Sequence, residues 1–387
     1  MLRGETTTRS ELDADHLTAA LQASGVARLR EAGSLWVIVD GSDLRKPYAA
    51  TMAHLQRVKR LDGTGTVNGY ATLNAIGIGP HGERGLLYHH LFSSTAPDFV
   101  SEPAEITTAV RSIGTALAPL ATDVTLILDA GFDNIAVWRE IWRQRQHLLC
   151  RVRTRTRLVR PAPTEPLCAL ADLAARLRAV ARLETELVVR KVGQARPKRQ
   201  PVTVAIRAVP LGIVDHDPAA DEPLEHDGWL VEVRLEHVAS APWWLLTDRP
   251  VTTEAQATEA QATEIFRMYR QRWAIEDAFK VAKTCLGWED VQVLDFDAIR
   301  LLVALGWVAA GFLFELGVTL EWAEVRLLRR LGGGEARTNR PPGKIVLTRG
   351  LRRLLDFLAM AALLEDEHQR HGVPPRITAL LHQLQLE

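Results

Sequence analysis

The sequence predicts an α/β fold: a mixed sheet with flanking helices, interrupted by a mostly β insertion and followed by C-terminal helices. Three observations carry this. Leu35-Trp36-Val37-Ile38-Val39 and Val124-Thr125-Leu126-Ile127-Leu128 are continuous apolar runs rich in β-branched residues, as expected of strands buried on both faces. Helical periodicity lies between and after them, at residues 104–118 and 134–144. Residues 154–250 then break the pattern with Pro-rich turns and alternating strands.

A chain of 387 residues, 47% of them apolar, can bury a large core and hold two or three domains. The formal net charge is zero, so any nucleic-acid surface must come from local clusters. Two exist, the Arg-dense stretch 139–160 and RKVGQARPKR at 190–199. The excess of Arg over Lys suits phosphate recognition and is equally the mark of a GC-rich genome. Cys150, Cys168 and Cys285 stand apart, without a C-x-x-C pair, so neither a zinc site nor a disulfide framework is indicated. The first residues lack the apolar stretch of a signal peptide. The longest uncharged run, residues 301–314, is too short for a bilayer and reads as a buried helix. This is the profile of a cytoplasmic, soluble protein with no membrane partner.

Taken in order, residues 1–34 form a short N-terminal segment with one weak helix at 17–32. The first buried strand ends at Asp40, followed by Gly41-Ser42-Asp43. A carboxylate at such a strand tip is either an Asp opening a turn before Gly or a group that must be paired or metal-bound. Residues 66–78 and 85–91 read as two meander strands turned by Pro80-His81-Gly82. His89 and His90 read as strand-end residues rather than ligands, for want of a third ligand. The second buried strand also ends in a carboxylate, Asp129, with Ala130-Gly131-Phe132-Asp133 as its exit. Residues 148–152 make a further strand. In such sheets functional groups gather outside the carboxyl ends of neighbouring strands, where Asp40 and Asp129 can meet. Asp43 and Asp133 are expected to point elsewhere or to support them.

The insertion is expected to hold an Ala-rich helix at 167–182 and strands at 186–192, 202–209 and 229–237. It leaves through Pro242-Trp243-Trp244-Leu245-Leu246-Thr247, where alternation sends the two Trp rings to opposite faces. One ring is core and the other is free for a base to stack on. A five-residue duplication, TEAQA at 253–257 and again at 258–262, adds ~7.5 Å of helix and ~140° of rotation.

Residues 266–289, FRMYRQRWAIEDAFKVAKTCLGWE, read as one helix. At ~100° per residue, Arg272, Glu276 and Lys283 fall within ~60° of Tyr269, with Trp273 beside them. One carboxylate thus stands among cations and aromatics. Alone, that is a solvated face with i,i+4 ion pairs. With two strand-end Asp residues it becomes a three-carboxylate set, whose hard oxygens suit Mg²⁺ or Mn²⁺. A pair of such ions ~3.5–4 Å apart supports phosphoryl transfer, and the adjacent cations suit DNA phosphates. A glycosidase carboxylate pair fits poorly beside so many cations. An apolar helix at 298–320, a polar linker at 332–343 and a last helix at 350–370 complete the chain.

The spacing Y-x2-R-x3-E-x6-K is met by Tyr269, Arg272, Glu276 and Lys283. With Asp40-Gly41, Asp129-x-Gly131-Phe132 and the Trp-Leu-Leu-Thr exit, it resembles the bacterial insertion-sequence DDE transposases of the IS-four family. The resemblance spans roughly residues 35–320. It implies a ribonuclease-H-like core in two parts, 35–153 and 251–320, with the β insertion at 154–250 and a helical region at 321–387. It implies that Asp40, Asp129 and Glu276 hold two Mg²⁺ or Mn²⁺ ions. Tyr269, Arg272 and Lys283 would grip DNA, Trp273 would support that face, and Trp243 would stack on a flipped base. The implied reaction is cleavage at transposon ends, hairpin formation and strand transfer into target DNA by a homodimer on double-stranded DNA at the nucleoid. Relatives carry a substantial end-recognition domain before the first strand, which residues 1–34 are too short to supply. A truncated remnant that binds DNA and inhibits, or a stand-alone nuclease of the same fold, is the alternative.

Overall fold

The computed structural model describes residues 13–120, 123–189, 198–216, 224–251, 255–334 and 343–372. The basic run 190–197 and most of the 332–343 linker lie outside them, as do Thr253 and Glu254 of the duplication. The chain divides into two compact units, residues 1–279 with 288–308, and residues 280–287 with 309–387.

The first unit opens with α1 (Ala14–Arg28), capped by Asp13, whose carboxylate accepts from the His16 amide at 2.8 Å. Four strands follow: β1 (Ser34–Arg45), β2 (Gln56–Lys59), β3 (Thr66–Ile78) and β4 (Arg84–Phe92). Next come α2 (Glu102–Leu117), β5 (Asp123–Leu128), α3 (Ile135–Arg143) and β6 (His147–Arg151). The insertion contributes β7 (Leu158–Arg160), β8 (Cys168–Ala169), β9 (Arg178–Val189), β10 (Lys198–Asp215), β11 (Leu224–Leu235) and β12 (Trp243–Thr247). Then come α4 (Ala255–Arg270), a 3-10 turn at Gln271–Trp273, α5 (Ala274–Cys285) and α6 (Phe296–Thr319). The last helices are α7 (Trp322–Leu331) and α8 (Lys344–His371).

Among the described residues, twelve strands share one sheet in the order β2-β3-β1-β5-β6-β12-β11-β10-β7-β8, with β4 added to β3 and β9 to β10. The core of the sheet is mixed. β1, β5 and β6 run parallel, while β3 is antiparallel to β1. Helices flank it, the insertion is β-rich, and helices close the chain, which is a ribonuclease-H-like architecture. Val37, Ile38 and Val39 in β1 and Leu126, Ile127 and Leu128 in β5 are all 0% exposed, as continuous apolar runs require. On one face, α2 and α3 bury Val110, Ile113, Val137, Trp138 and Ile141 against Val37, Val39, Leu126 and Leu128. Helix α1 lies close on β4, where a Cβ at Gly25 would come 2.1 Å from the Leu86 carbonyl oxygen, so only glycine permits that approach.

Several expectations give way to longer-range pairing. β1 does not end at Asp40; it runs to Arg45 because β3 continues to pair with it as far as Arg45↔Gly69. Residues 167–182 are not an Ala-rich helix but a 3-10 turn, Leu170–Arg176, leading into β9. There the ladder with β10 overrides helix propensity. The stretch 266–289 is two helices rather than one, joined through the 3-10 turn, and α5 is followed by Gly287 at φ 67°. The apolar helix α6 is longer than the uncharged run within it, and residues 296–316 are long and apolar enough to cross a bilayer. In the first unit its Ile299, Val303 and Trp307 are fully buried.

In the second unit, α7 and α8 form a close pair. Cβ atoms at Gly350 and Gly332 would meet the Leu328 and Val346 carbonyl oxygens at 1.9 and 2.0 Å. α8 also exposes Leu355, Phe357, Leu358, Met360 and Leu363.

Candidate active site

β5 stops at Leu128, which pairs with Val39 of β1. β1 runs on beyond it, flanked from Asp40 onward by β3. Asp40 therefore stands where the parallel ladder opens, and Asp129 is the first residue past its partner strand. Alternation sends both side chains to the sheet face away from α2 and α3, beneath the α4–α5 segment. Each carboxylate also caps its own exit: Asp40 Oδ1 accepts from the Gly41 amide at 2.9 Å and Asp129 Oδ1 from the Ala130 amide at 2.7 Å.

The segment above them supplies one cation and one phenol. Arg272 donates from Nη1 to Asp40 Oδ2 at 2.8 Å and from Nη2 to Glu276 Oε1 at 3.0 Å. Asp129 Oδ2 lies 4.0 Å from the same Nη1. The Tyr269 hydroxyl donates to Asp129 Oδ1 at 3.3 Å. The Asp40 and Asp129 oxygens are thus closer than the sum of their two distances to Nη1, inside the ~8 Å beyond which shared ions are excluded. Arg272 is largely buried, with its side chain 13% exposed, whereas that of Glu276 is 54% exposed.

Burial raises the Asp40 carboxyl to about 6 against the pull of Arg272, and Asp129 and Glu276 add to the rise. Burial also raises Tyr269, helped by Asp129, so it remains a protonated donor. Arg272 is raised despite its burial, by Asp40 first and Asp129 next.

Among the described residues, no group of three or more His, Cys, Asp or Glu side chains is gathered tightly enough to hold a metal ion. The three carboxylates instead surround a guanidinium. Their chemistry, three hard oxygen donors beside a phosphate-type cation, nevertheless fits Mg²⁺ or Mn²⁺.

Trp243 is brought to the same segment. Its ring packs on Phe266 at 6.2 Å, Tyr269 at 5.6 Å and Trp273 at 5.7 Å, and is only 8% exposed. The ring expected to be open to a base is thus covered, and the exposed aromatic of the group is Trp273, at 41%. Trp244 turns the other way, into the core. It donates to Glu232 at 3.3 Å and carries Arg155 over its ring at 4.6 Å. Lys283 is in the last turn of α5, in the second unit.

Asp43 lies 3.9 Å from Arg45. Asp133 accepts from the Arg153 and Thr154 amides at 2.8 and 2.7 Å and pairs with Arg157, whose guanidinium covers Trp138. It clamps the exit turn of β5 to the segment after β6. Sequence reasoning missed the polar row beside Asp40. Asn74 is its cross-strand partner, and His89 is Asn74's, joined through Nδ1 to Asn74 Oδ1 at 2.7 Å. The signal was present in the alternation of β3, where Thr72 and Asn74 interrupt an apolar face. Missed as well were the cations Arg45, Arg57 and Lys59. They line a cleft of about 650 Å³ together with Asp40 and Asp129.

A mixed ribonuclease-H-like sheet thus brings Asp40 of β1, Asp129 just past β5 and the helix-borne Glu276 around one cation, a set of hard oxygens beside a phosphate-type guanidinium. The transposase DDE domain model matches residues 101–310, more than half of the chain, and the chain belongs to that family. The match takes in Asp129, Trp243, Tyr269, Arg272, Trp273, Glu276 and Lys283 and begins after Asp40. None of the curated proteins matches the chain.

Proposed function

We propose that the protein is an insertion-sequence transposase of the IS-four type that cuts and rejoins DNA by a cut-and-paste route, as a dimer on transposon ends. The observation that carries this reading is the convergence of Asp40, Asp129 and Glu276 on Arg272 within a chain of the DDE family. Asp40, Asp129 and Glu276 would hold Mg²⁺ or Mn²⁺. Such ions, when bound, generate an oxygen nucleophile at neutral pH and offset charge on the leaving oxygen.

The protein's own groups do the rest. Tyr269 and Arg272 hold phosphate oxygens beside the scissile bond, and Lys283 is a further DNA contact. Arg45, Arg57 and Lys59 line a path for the backbone away from Asp40. The exposed face of Trp273, backed by Trp243, offers a stacking surface for a terminal base flipped out during hairpin formation.

The test is Glu276→Ala. The cations keep their phosphate contacts, so DNA binding and the melting temperature are expected to stay near wild type while Mg²⁺-dependent nicking of a transposon-end duplex disappears. Nicking retained in that variant rejects the assignment.

A further inference from the structure

In this structure the carboxylates that we read as metal ligands already hold a cation, and it belongs to the protein. Arg272 reaches all three: Asp40 at 2.8 Å and Asp129 at 4.0 Å from one terminal nitrogen, Glu276 at 3.0 Å from the other. Both ends of the guanidinium fork are engaged, and the side chain is buried between the strand ends and the helix. Two cationic centres cannot share that space without repulsion, since the guanidinium itself is largely withdrawn from solvent. A phosphate needs the same donors, because a guanidinium recognises carboxylate and phosphate with the same fork.

From this geometry we infer that Arg272 is an internal counter-ion that makes divalent-metal binding depend on DNA. In the free protein it offsets part of the triad's negative charge and opposes metal entry. When a DNA phosphate takes the guanidinium, the carboxylates are released to the ion. The inference rests on the reading of Asp40, Asp129 and Glu276 as metal ligands.

The backbone supplies the means of exchange. Arg272 is not on a regular helix but in the 3-10 turn Gln271–Trp273, and the Ala274 amide that resumes the helix bonds back to the Arg272 and Gln271 carbonyls. A short 3-10 stretch inside a helix is a common hinge. A small change there re-aims a long side chain without moving α4 or α5. Because exchange links two binding equilibria, the coupling is reciprocal: DNA strengthens metal binding by the factor by which metal strengthens DNA binding.

The experiment measures Mn²⁺ affinity by calorimetry and by loss of the free-ion spin-resonance signal, for the full chain with and without a short random-sequence duplex. Wild type, Arg272→Gln and Asp129→Asn are compared. Wild type alone is expected to bind Mn²⁺ weakly, and the duplex to strengthen binding about tenfold or more. Arg272→Gln is expected to reach the strengthened affinity without DNA and to gain little from it. Thermal melting establishes that the variant is folded. The reciprocal measurement, duplex affinity of wild type with and without Mn²⁺, needs no variant and is expected to give the same factor. Equal Mn²⁺ affinity in wild type and Arg272→Gln, or DNA coupling that persists in Arg272→Gln, overturns the inference. Either result leaves the metal-site reading standing if Asp129→Asn still weakens binding. Mn²⁺ binding that is absent throughout, or indifferent to Asp129→Asn, overturns both.

Discussion

Two titrating groups in one row respond to acid in opposite senses. Asp40 is raised to about 6 by burial, so between that value and the ordinary carboxylate range the native state binds a proton that the unfolded chain does not. Its contribution therefore opposes folding at neutral pH and is relieved as pH falls through that window. Replacing Asp40 by Asn is expected to raise the melting temperature at pH 7.5, by an amount that shrinks toward pH 4.5; a gap that widens in acid contradicts the reading. His89 is lowered to about 3, chiefly by burial, with His90 adding to it; its ring stacks on Trp307 and lies tilted against Trp288. It stays neutral when folded, while the unfolded chain takes a proton near 6.5, so stability drains away as pH falls below that point. The slope is about 1.4 kcal/mol per pH unit. Urea unfolding at several pH values, with His89→Gln for comparison, measures it, and the variant is expected to have the shallower slope.

At the scale of elements, the aromatic packing over the site makes Trp243 a structural residue. With its ring covered by Phe266, Tyr269 and Trp273, Trp243→Ala is expected to cost about 3–5 kcal/mol and to depress nicking and hairpin formation together. Loss of hairpin product alone, at an unchanged melting temperature, gives Trp243 the base-stacking part instead. In the second unit, Gly350→Val is expected to force α7 from α8, since even a Cβ there meets the Leu328 carbonyl oxygen. Circular dichroism with limited proteolysis reads that separation, and an undisturbed helix pair contradicts it.

The elements legible from sequence were those whose local pattern agrees with their surroundings. The apolar runs of β1 and β5, and β3 at its full extent, are of this kind. Spacing and the carboxylates that close two apolar runs singled out Asp40, Asp129, Tyr269, Arg272 and Glu276, and the fold brings these five together. What was not legible depends on partners distant in the chain. β3 carries β1 past Asp40, β10 draws an Ala-rich stretch into β9, and the demands of Arg272 accompany a 3-10 turn where composition alone favours unbroken helix. The Asn74–His89 row was hidden because its members meet only across strands.

For the molecule as a whole, the insertion is not an appendage. β12 hydrogen-bonds to β6 at Leu245↔Arg151, Leu246↔Cys150 and Thr247↔Leu149, and β6 to β5 beside it. The backbone ladder therefore passes without a break from β10 and β11 to the strand that ends at Asp129. Removing residues 158–242 would spare every proposed ligand. With β11 gone, β12 would lose the strand that covers its outer side and be left as a raw edge of the kind that recruits other chains, and the shortened protein is expected to aggregate on expression. A soluble, monodisperse deletion product counts against this. Continuity of this kind makes the sheet a mechanical member: a load applied to the insertion is felt as shear along the ladder, and is carried through β6 to β5, beyond whose end Asp129 stands.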